Sequence, residues 1–204
     1  RMGWWTSNFV EAGGFAATKL GSPEYPDVQF HFTPIYRSHR GRKFEFGHGY
    51  SLFTCLLRPH SKGSVKLKRD GDQYQVLIDH NFLSDSRDEV HIVEAIKKAR
   101  EILASSEFDA VRGAEIAPGK SVQSDEDLLE YIRRTSLTVY HPVGTCKMGT
   151  DELAVVSPDD LKVKGMSNLR VIDASIMPSI VSGNTSAPTM MIAEKGARMI
   201  LESK

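Results

Sequence analysis

Asp27–Tyr36 reads D-V-Q-F-H-F-T-P-I-Y. Val28, Phe30 and Phe32 fall on one face and Gln29, His31 and Thr33 on the other, the period-2 alternation of a half-buried strand. Working outward, Tyr50–Leu57 is a second apolar, β-prone run. Ser64–Lys68 and Tyr74–Ile78 flank Asp70-Gly71, a turn dipeptide, and form a hairpin. The first eighty residues therefore read as one antiparallel sheet. The period then changes. Val90, Val93, Ile96, Ala99 or Arg100, and Leu103 recur at helical spacing from Ser86 onward, and Ser86 with Glu89 matches a capping box. Ser124 with Asp127 repeats that signature ahead of Leu128, Leu129 and Ile132 and opens a second helix ending near Arg134. Gly and Pro cluster in a long loop from Pro142 to Pro158. Leu169–Asp173 reads as a short strand without an obvious partner. Pro188 suits a first helical turn, and Ile192, Ala193, Ala197 and Ile200 make one apolar stripe on a last helix. Strands first, then helices, then one strand and one helix define an α+β fold.

Composition narrows the function. The chain has 204 residues, 40% hydrophobic and 25% charged, enough for a sizeable core. Lys plus Arg is 26 and Asp plus Glu is 26, so no basic excess argues for nucleic acid. No apolar run approaches the roughly 20 residues of a membrane helix, and no signal peptide is visible. Cys55 and Cys146 are the two cysteines, with no C-x-x-C, which fits a reducing compartment and excludes a disulfide framework. The expectation is a cytoplasmic protein, with membrane association of an intact enzyme left open. Arg1 at the first position fits a processed chain or a piece of a longer one.

Phosphate and nucleophile motifs are absent: no G-x-x-x-x-G-K-[ST], no H-E-x-x-H, no G-x-S-x-G. Gly47-His48-Gly49 lacks both the third glycine and the following helix of a dinucleotide fingerprint. His141 lies in Y-H-P-V-G-T-C-K-M-G, Tyr140–Gly149. Pro142 holds it toward extended backbone, and the flanking glycines admit a bulky group. It either takes a proton from a substrate hydroxyl or packs in a Gly/Pro turn. Asn184 precedes the last helix, where Thr185 or Ser186 can cap; that N-terminus suits an anionic or carbonyl-rich ligand, or is simply capped. Asp173, at a strand end, either meets ribose-type hydroxyls or forms a turn. A Cys146–His141 nucleophile pair lacks a third orienting group. Cys55 reads as core. His31 and His60 line a pocket or the surface. No metal-ligand spacing stands out.

Three long motifs carry a resemblance: Y-H-P-V-G-T-C-K-M-G, L-K-V-K-G-M-S-N-L-R-V-I-D-A-S-I-M-P, and G-N-T-S-A-P-T-M-M-I-A-E-K-G-A-R-M-I. They resemble the C-terminal region of the glucose–methanol–choline (GMC) oxidoreductases. S-N-F-V-E-A-G-G-F, Q-F-H-F-T-P, R-P-H-S-K-G-S-V-K-L and D-H-N-F-L-S-D are similar to its bacterial choline- and alcohol-dehydrogenase branch. The likeness covers nearly the whole chain.

The resemblance implies an FAD-dependent enzyme that oxidises a primary alcohol to an aldehyde. It implies a substrate-binding domain over residues 1–138. Residues 139–204 would be a C-terminal segment with the catalytic loop and the strand and helix that complete an FAD-binding domain, whose N-terminal half is absent. His141 is similar to the family's catalytic histidine, and Asn184 to its His-or-Asn partner. Asp173 and Ala174 resemble positions beside the ribityl–pyrophosphate chain, and Thr185 and Ser186 resemble backbone contacts near the isoalloxazine. Glu11, with Trp4 and Trp5 nearby, matches a position able to face a quaternary ammonium. The implied partners are a small alcohol, the missing FAD domain, and either oxygen or a quinone-type acceptor. Choline specificity, a binding module without redox activity, and a lyase on the same scaffold are the alternatives.

Overall fold

The computed structural model describes residues 7–36 and 48–202; Trp4, Trp5 and Gly47 fall outside them. Its contacts separate two units, Arg1–Ser61 with Leu83–Val139, and Lys62–Phe82 with Tyr140–Lys204. Among these described residues the architecture is α+β, with antiparallel sheets and three α-helices.

In the first unit, β1 (Ala12–Ala16), β2 (Val28–Thr33) and β3 (Ser51–Leu56) form an antiparallel sheet in that order. The register sets Gly13 opposite His31 and His31 opposite Phe53. Gly13 has a steric reason to be glycine, because a Cβ there would lie 2.7 Å from the Phe30 carbonyl oxygen. The expected alternation of β2 holds for Val28 and Phe30, which are buried, and breaks at its end, where Phe32 is half-buried and Thr33, expected on the opposite face, is buried. Val28 and Phe30 pack on Ala95 and Ala99 of α1 (Ser86–Leu103), whose small side chains let helix and sheet approach. Val93 turns instead toward Leu128 and Ile132 of α2 (Asp125–Thr135). α1 thus buries two adjoining stripes, and Val90, expected inside, is exposed.

Two buried carboxylates tie loops to this frame. Asp27 accepts from the Thr18 N–H at 2.8 Å and hydroxyl at 2.6 Å. Asp88 accepts from the N–H groups of His60 and Ser61, at 2.8 and 2.7 Å. Such bonds remove the penalty of burying a carboxylate. Ser124 caps α2 as expected, accepting from the Asp127 N–H at 3.1 Å. The cap of α1 lies one residue earlier than expected: extended Asp85 accepts from the Arg87 N–H at 3.0 Å, and Ser86 is already helical.

The second unit corrects the reading of a single eighty-residue sheet. Among the described residues, β4 (Ser64–Asp70) and β5 (Gln73–Asp79) pair only with each other, across a turn with Gly71 at φ +60°. Its core is Val156, Leu161, Ile176, Met177 and Ile192, with Val143, Cys146 and Met148 packed against them. Most of this cluster comes from irregular chain, held by isolated bridges between Met148 and Val156, Val156 and Val163, and Lys162 and Arg170. Leu169–Asp173, expected as a strand, is joined at the Lys162–Arg170 bridge and forms no ladder. Gly165, at φ +79°, lies in the turn between the two bridged segments. α3 (Ser186–Glu202) buries Ile192 and Gly196, while Ala193, Ala197 and Ile200 of the expected stripe are exposed. The buried stripe is set by Ile172, which lies where a Cβ on Gly196 would meet it at 2.5 Å.

Candidate active site

The site is built where the Tyr140–Met148 loop meets the start of α3. The loop is laid on a 3₁₀ turn, Ala174–Ile176. The N–H groups of Gly144 and Cys146 both donate to the Ser175 carbonyl at 3.1 Å, and the Met148 N–H donates to that of Ile176 at 2.8 Å. Gly144 sits at φ +90°, where a side chain would be strained. Tyr140 is left-handed as well, at φ +64°, an uncommon conformation for a non-glycine residue. Val143 and Cys146 anchor the loop in the apolar cluster. His141 is left half-buried at its outer edge.

Both ring nitrogens of His141 are engaged. Nε2 lies 2.7 Å from Nδ2 of Asn184, 43 residues away in sequence. Nδ1 lies 3.0 Å from the Thr185 hydroxyl, and the Thr185 N–H approaches it at 3.3 Å. Asn184 is exposed and Thr185 is buried. Thr185 is held from behind, its carbonyl accepting from both the N–H and the hydroxyl of Thr189, at 3.0 and 2.6 Å.

The remaining expected residues divide. Asp173 is exposed and caps the 3₁₀ turn through Oδ1, which accepts from the Ser175 N–H at 2.7 Å. Ala174 opens that turn, and Ser186 opens α3 with an exposed side chain. Thr185 turns its N–H and hydroxyl to His141, and its carbonyl is taken by Thr189. Glu11 is in the first unit, exposed, directly before β1, with its N–H donating to the Phe32 carbonyl at 3.1 Å. Cys146 packs against the core and takes no part in the His141 contacts. Cys55 is half-buried, and burial, opposed by a weaker backbone hydrogen bond with Gln29, pushes its thiol up to about 11. His60 and His91 border an open cleft of about 430 Å³ in the first unit with Asp27 and Arg58. Among the described residues no cluster of three or more His, Cys, Asp or Glu could hold a metal ion, and no helix is long and apolar enough to cross a membrane.

The role of Thr185 escaped the sequence because threonine before a helix reads as a cap. The fold uses the same position to reach back to a histidine 44 residues earlier.

An exposed amide and a buried hydroxyl on the two nitrogens of one imidazole can hold a ring for proton transfer. The sequence comparisons assign the chain to a family. The GMC oxidoreductase profile matches residues 59–193, and the chain belongs to that family. It is 46% identical over 203 residues to an alcohol dehydrogenase [acceptor] of Pseudomonas putida, covering 98% of this chain and 36% of that protein. It is 42% identical to an oxygen-dependent choline dehydrogenase of Staphylococcus aureus, covering 98% and 35%. Among solved structures, pyridoxine 4-oxidase from Mesorbium loti superposes with a TM-score of 0.77 at 32% identity, over 85% of this chain and 34% of that one. Formate oxidase of Aspergillus oryzae, whose structure concerns FAD modification, gives 0.79 at 25% identity, over 89% and 32%. The chain thus spans about a third of the length of these relatives.

Proposed function

We propose that this chain is the substrate-binding and catalytic C-terminal part of an FAD-dependent alcohol dehydrogenase that oxidises a primary alcohol to an aldehyde. The observation that carries the reading is the His141–Asn184 contact, made across 43 residues. An alcohol hydroxyl entering there replaces the direct contact with two of its own. It gives its proton to His141 Nε2 and takes a hydrogen bond from the Asn184 amide, which holds the alkoxide oxygen. Bound flavin supplies the hydride acceptor. The protein's main contribution is to fix the alkoxide in place.

The residues suit such a cofactor. Ser186 and Ala187, in the first turn of α3, carry N–H groups with no intrahelical acceptor, and both residues are exposed. They would meet a carbonyl-bearing ring edge. Asp173 keeps its second oxygen, Oδ2, for a ribityl hydroxyl, beside Ala174. The main flavin-binding half is assigned to the part of the relatives' length that this chain does not match. Exposed apolar residues of the hairpin, such as Leu67 and Ile78, support the reading of the chain as part of a larger protein. A choline-specific enzyme, with Glu11 facing the ammonium, is the second reading, favoured by the choline dehydrogenase relatives.

The test is flavin reduction followed by stopped flow in the full-length protein over a panel of alcohols including choline. His141→Ala is expected to slow reduction by roughly 10²–10⁴, the usual worth of a positioned acid–base group. A loss under tenfold overturns the base assignment. Preference for choline that disappears in Glu11→Gln would establish the second reading.

A further inference from the structure

We propose that Thr185 is a positioning residue that selects the tautomer of His141, keeping the proton on Nδ1 and the lone pair on Nε2. The inference deepens the proposed function and rests on it for its catalytic consequence, though not for its structural content.

A neutral imidazole has one proton to place on two nitrogens. The three contacts to the ring cannot all be satisfied at once. Asn184 Nδ2, 2.7 Å from Nε2, can only donate, so this contact requires a bare Nε2. The proton then sits on Nδ1 and is donated to the Thr185 hydroxyl oxygen at 3.0 Å. The Thr185 N–H, at 3.3 Å, demands the opposite, a bare Nδ1. The Asn184 contact selects this tautomer, the Thr185 hydroxyl can accept the Nδ1 proton it places there, and the longest contact dissents. Only the hydroxyl makes the difference, because the main-chain N–H is present whatever residue stands there.

Burial sharpens the choice. Thr185 is 6% exposed, so an Nδ1–H that lost the hydroxyl would have poor access to water and would be left an unsatisfied donor. Without the hydroxyl, the main-chain N–H is the remaining partner of Nδ1 and pulls the proton to Nε2. Asn184 then turns its amide oxygen to the ring, and Nε2 is no longer a base. The hydroxyl also accepts from Nδ1–H after Nε2 has taken a proton, so it stabilises the imidazolium that the reaction forms. Thr185 is rigidly placed for this, since its carbonyl is tied to Thr189.

The experiment uses the full-length protein with ¹⁵N-labelled histidine, the His141 signals being those lost in His141→Gln. Long-range ¹H–¹⁵N correlations report which nitrogen is protonated. Wild type is expected to carry the proton on Nδ1, Thr185→Val on Nε2, and Thr185→Ser on Nδ1 again. Flavin reduction should fall about 100-fold in Thr185→Val with the alcohol's dissociation constant within threefold, and Thr185→Ser should recover most of the rate. A wild-type ring already protonated on Nε2, or a Thr185→Val ring still protonated on Nδ1, overturns the proposal. If Thr185→Val does not fold, the wild-type and Thr185→Ser tautomers decide it. If the tautomer switches but His141→Ala leaves flavin reduction intact, the positioning role stands and the assignment of His141 as the base falls.

Discussion

β2 and β5 have similar composition and opposite fates. Each is six or seven residues of mixed apolar and polar side chains in an antiparallel pair. β2 lies between β1 and β3 with α1 packed on its buried residues, and Val28 is fully buried. Among the described residues β5 pairs with β4 alone, and all of its residues are exposed, Ile78 at 64%. An apolar pattern states what a strand can bury; the neighbours decide whether it does. The two units differ in the same way. The first is regular, with two apolar clusters meeting at α1. The second gathers one cluster largely from loops, and that irregular half holds His141, Asn184 and Thr185.

The contrast can be tested by weakening each unit and following urea unfolding and amide exchange. The largest effect is expected for Leu128→Ala, since Leu128 is fully buried between α1 and α2. A loss of about 2–5 kcal/mol, with exchange rising first in α2, is the normal result of such a cavity. Exchange rising equally throughout would show that the two units unfold together.

Gly196→Ala probes the second unit. Its Cβ would press on Ile172, and overpacking of this kind costs about 1–3 kcal/mol, partly offset by a helix-propensity gain of about 1 kcal/mol. The net loss should be small and should appear in α3 protection. Ile172 adjoins Asp173, so the substitution should also disturb the 3₁₀ turn under the Tyr140–Met148 loop. Unchanged protection at Ser175 would refute that link.

Glu94→Gln gives the smallest effect and a pH signature. Glu94 is buried and meets Lys19 and Lys97, each at 2.9 Å. Burial pushes its carboxyl up, but the lysine hydrogen bonds and charges together outweigh it and hold the carboxyl below its ordinary value of 4.5. A depressed carboxylate stabilises the fold above the unfolded-state value and loses that contribution as the pH falls through the folded-state one. Wild type should therefore exceed Glu94→Gln by about 1 kcal/mol at pH 7, and the two should converge below pH 4.5. A gap that persists there would assign the effect to packing.

The local signals read well where one segment supplied both pattern and partner. Ser124 caps α2 because its hydroxyl needs only the Asp127 N–H three residues on. The β4–β5 hairpin closes on its own turn. The α1 cap moved to Asp85, where the acid side chain both accepts from the Arg87 N–H and pairs with the Arg87 guanidinium. Misreadings arose where the answer lay far along the chain. Leu169–Asp173 has strand composition, but no ladder forms beside it. The α3 stripe is centred on Ile192 and Gly196 because Ile172 packs there.

His141 and Asn184 could be singled out from sequence because their surroundings, glycines and a proline around one and a helix start after the other, are local features. Their types determine that one can carry a proton and the other can hold an oxygen. What residue type leaves open is which nitrogen of His141 carries the proton. That is a matter of which donors and acceptors surround the ring, and the fold brings Asn184 and Thr185 to it from more than 40 residues away.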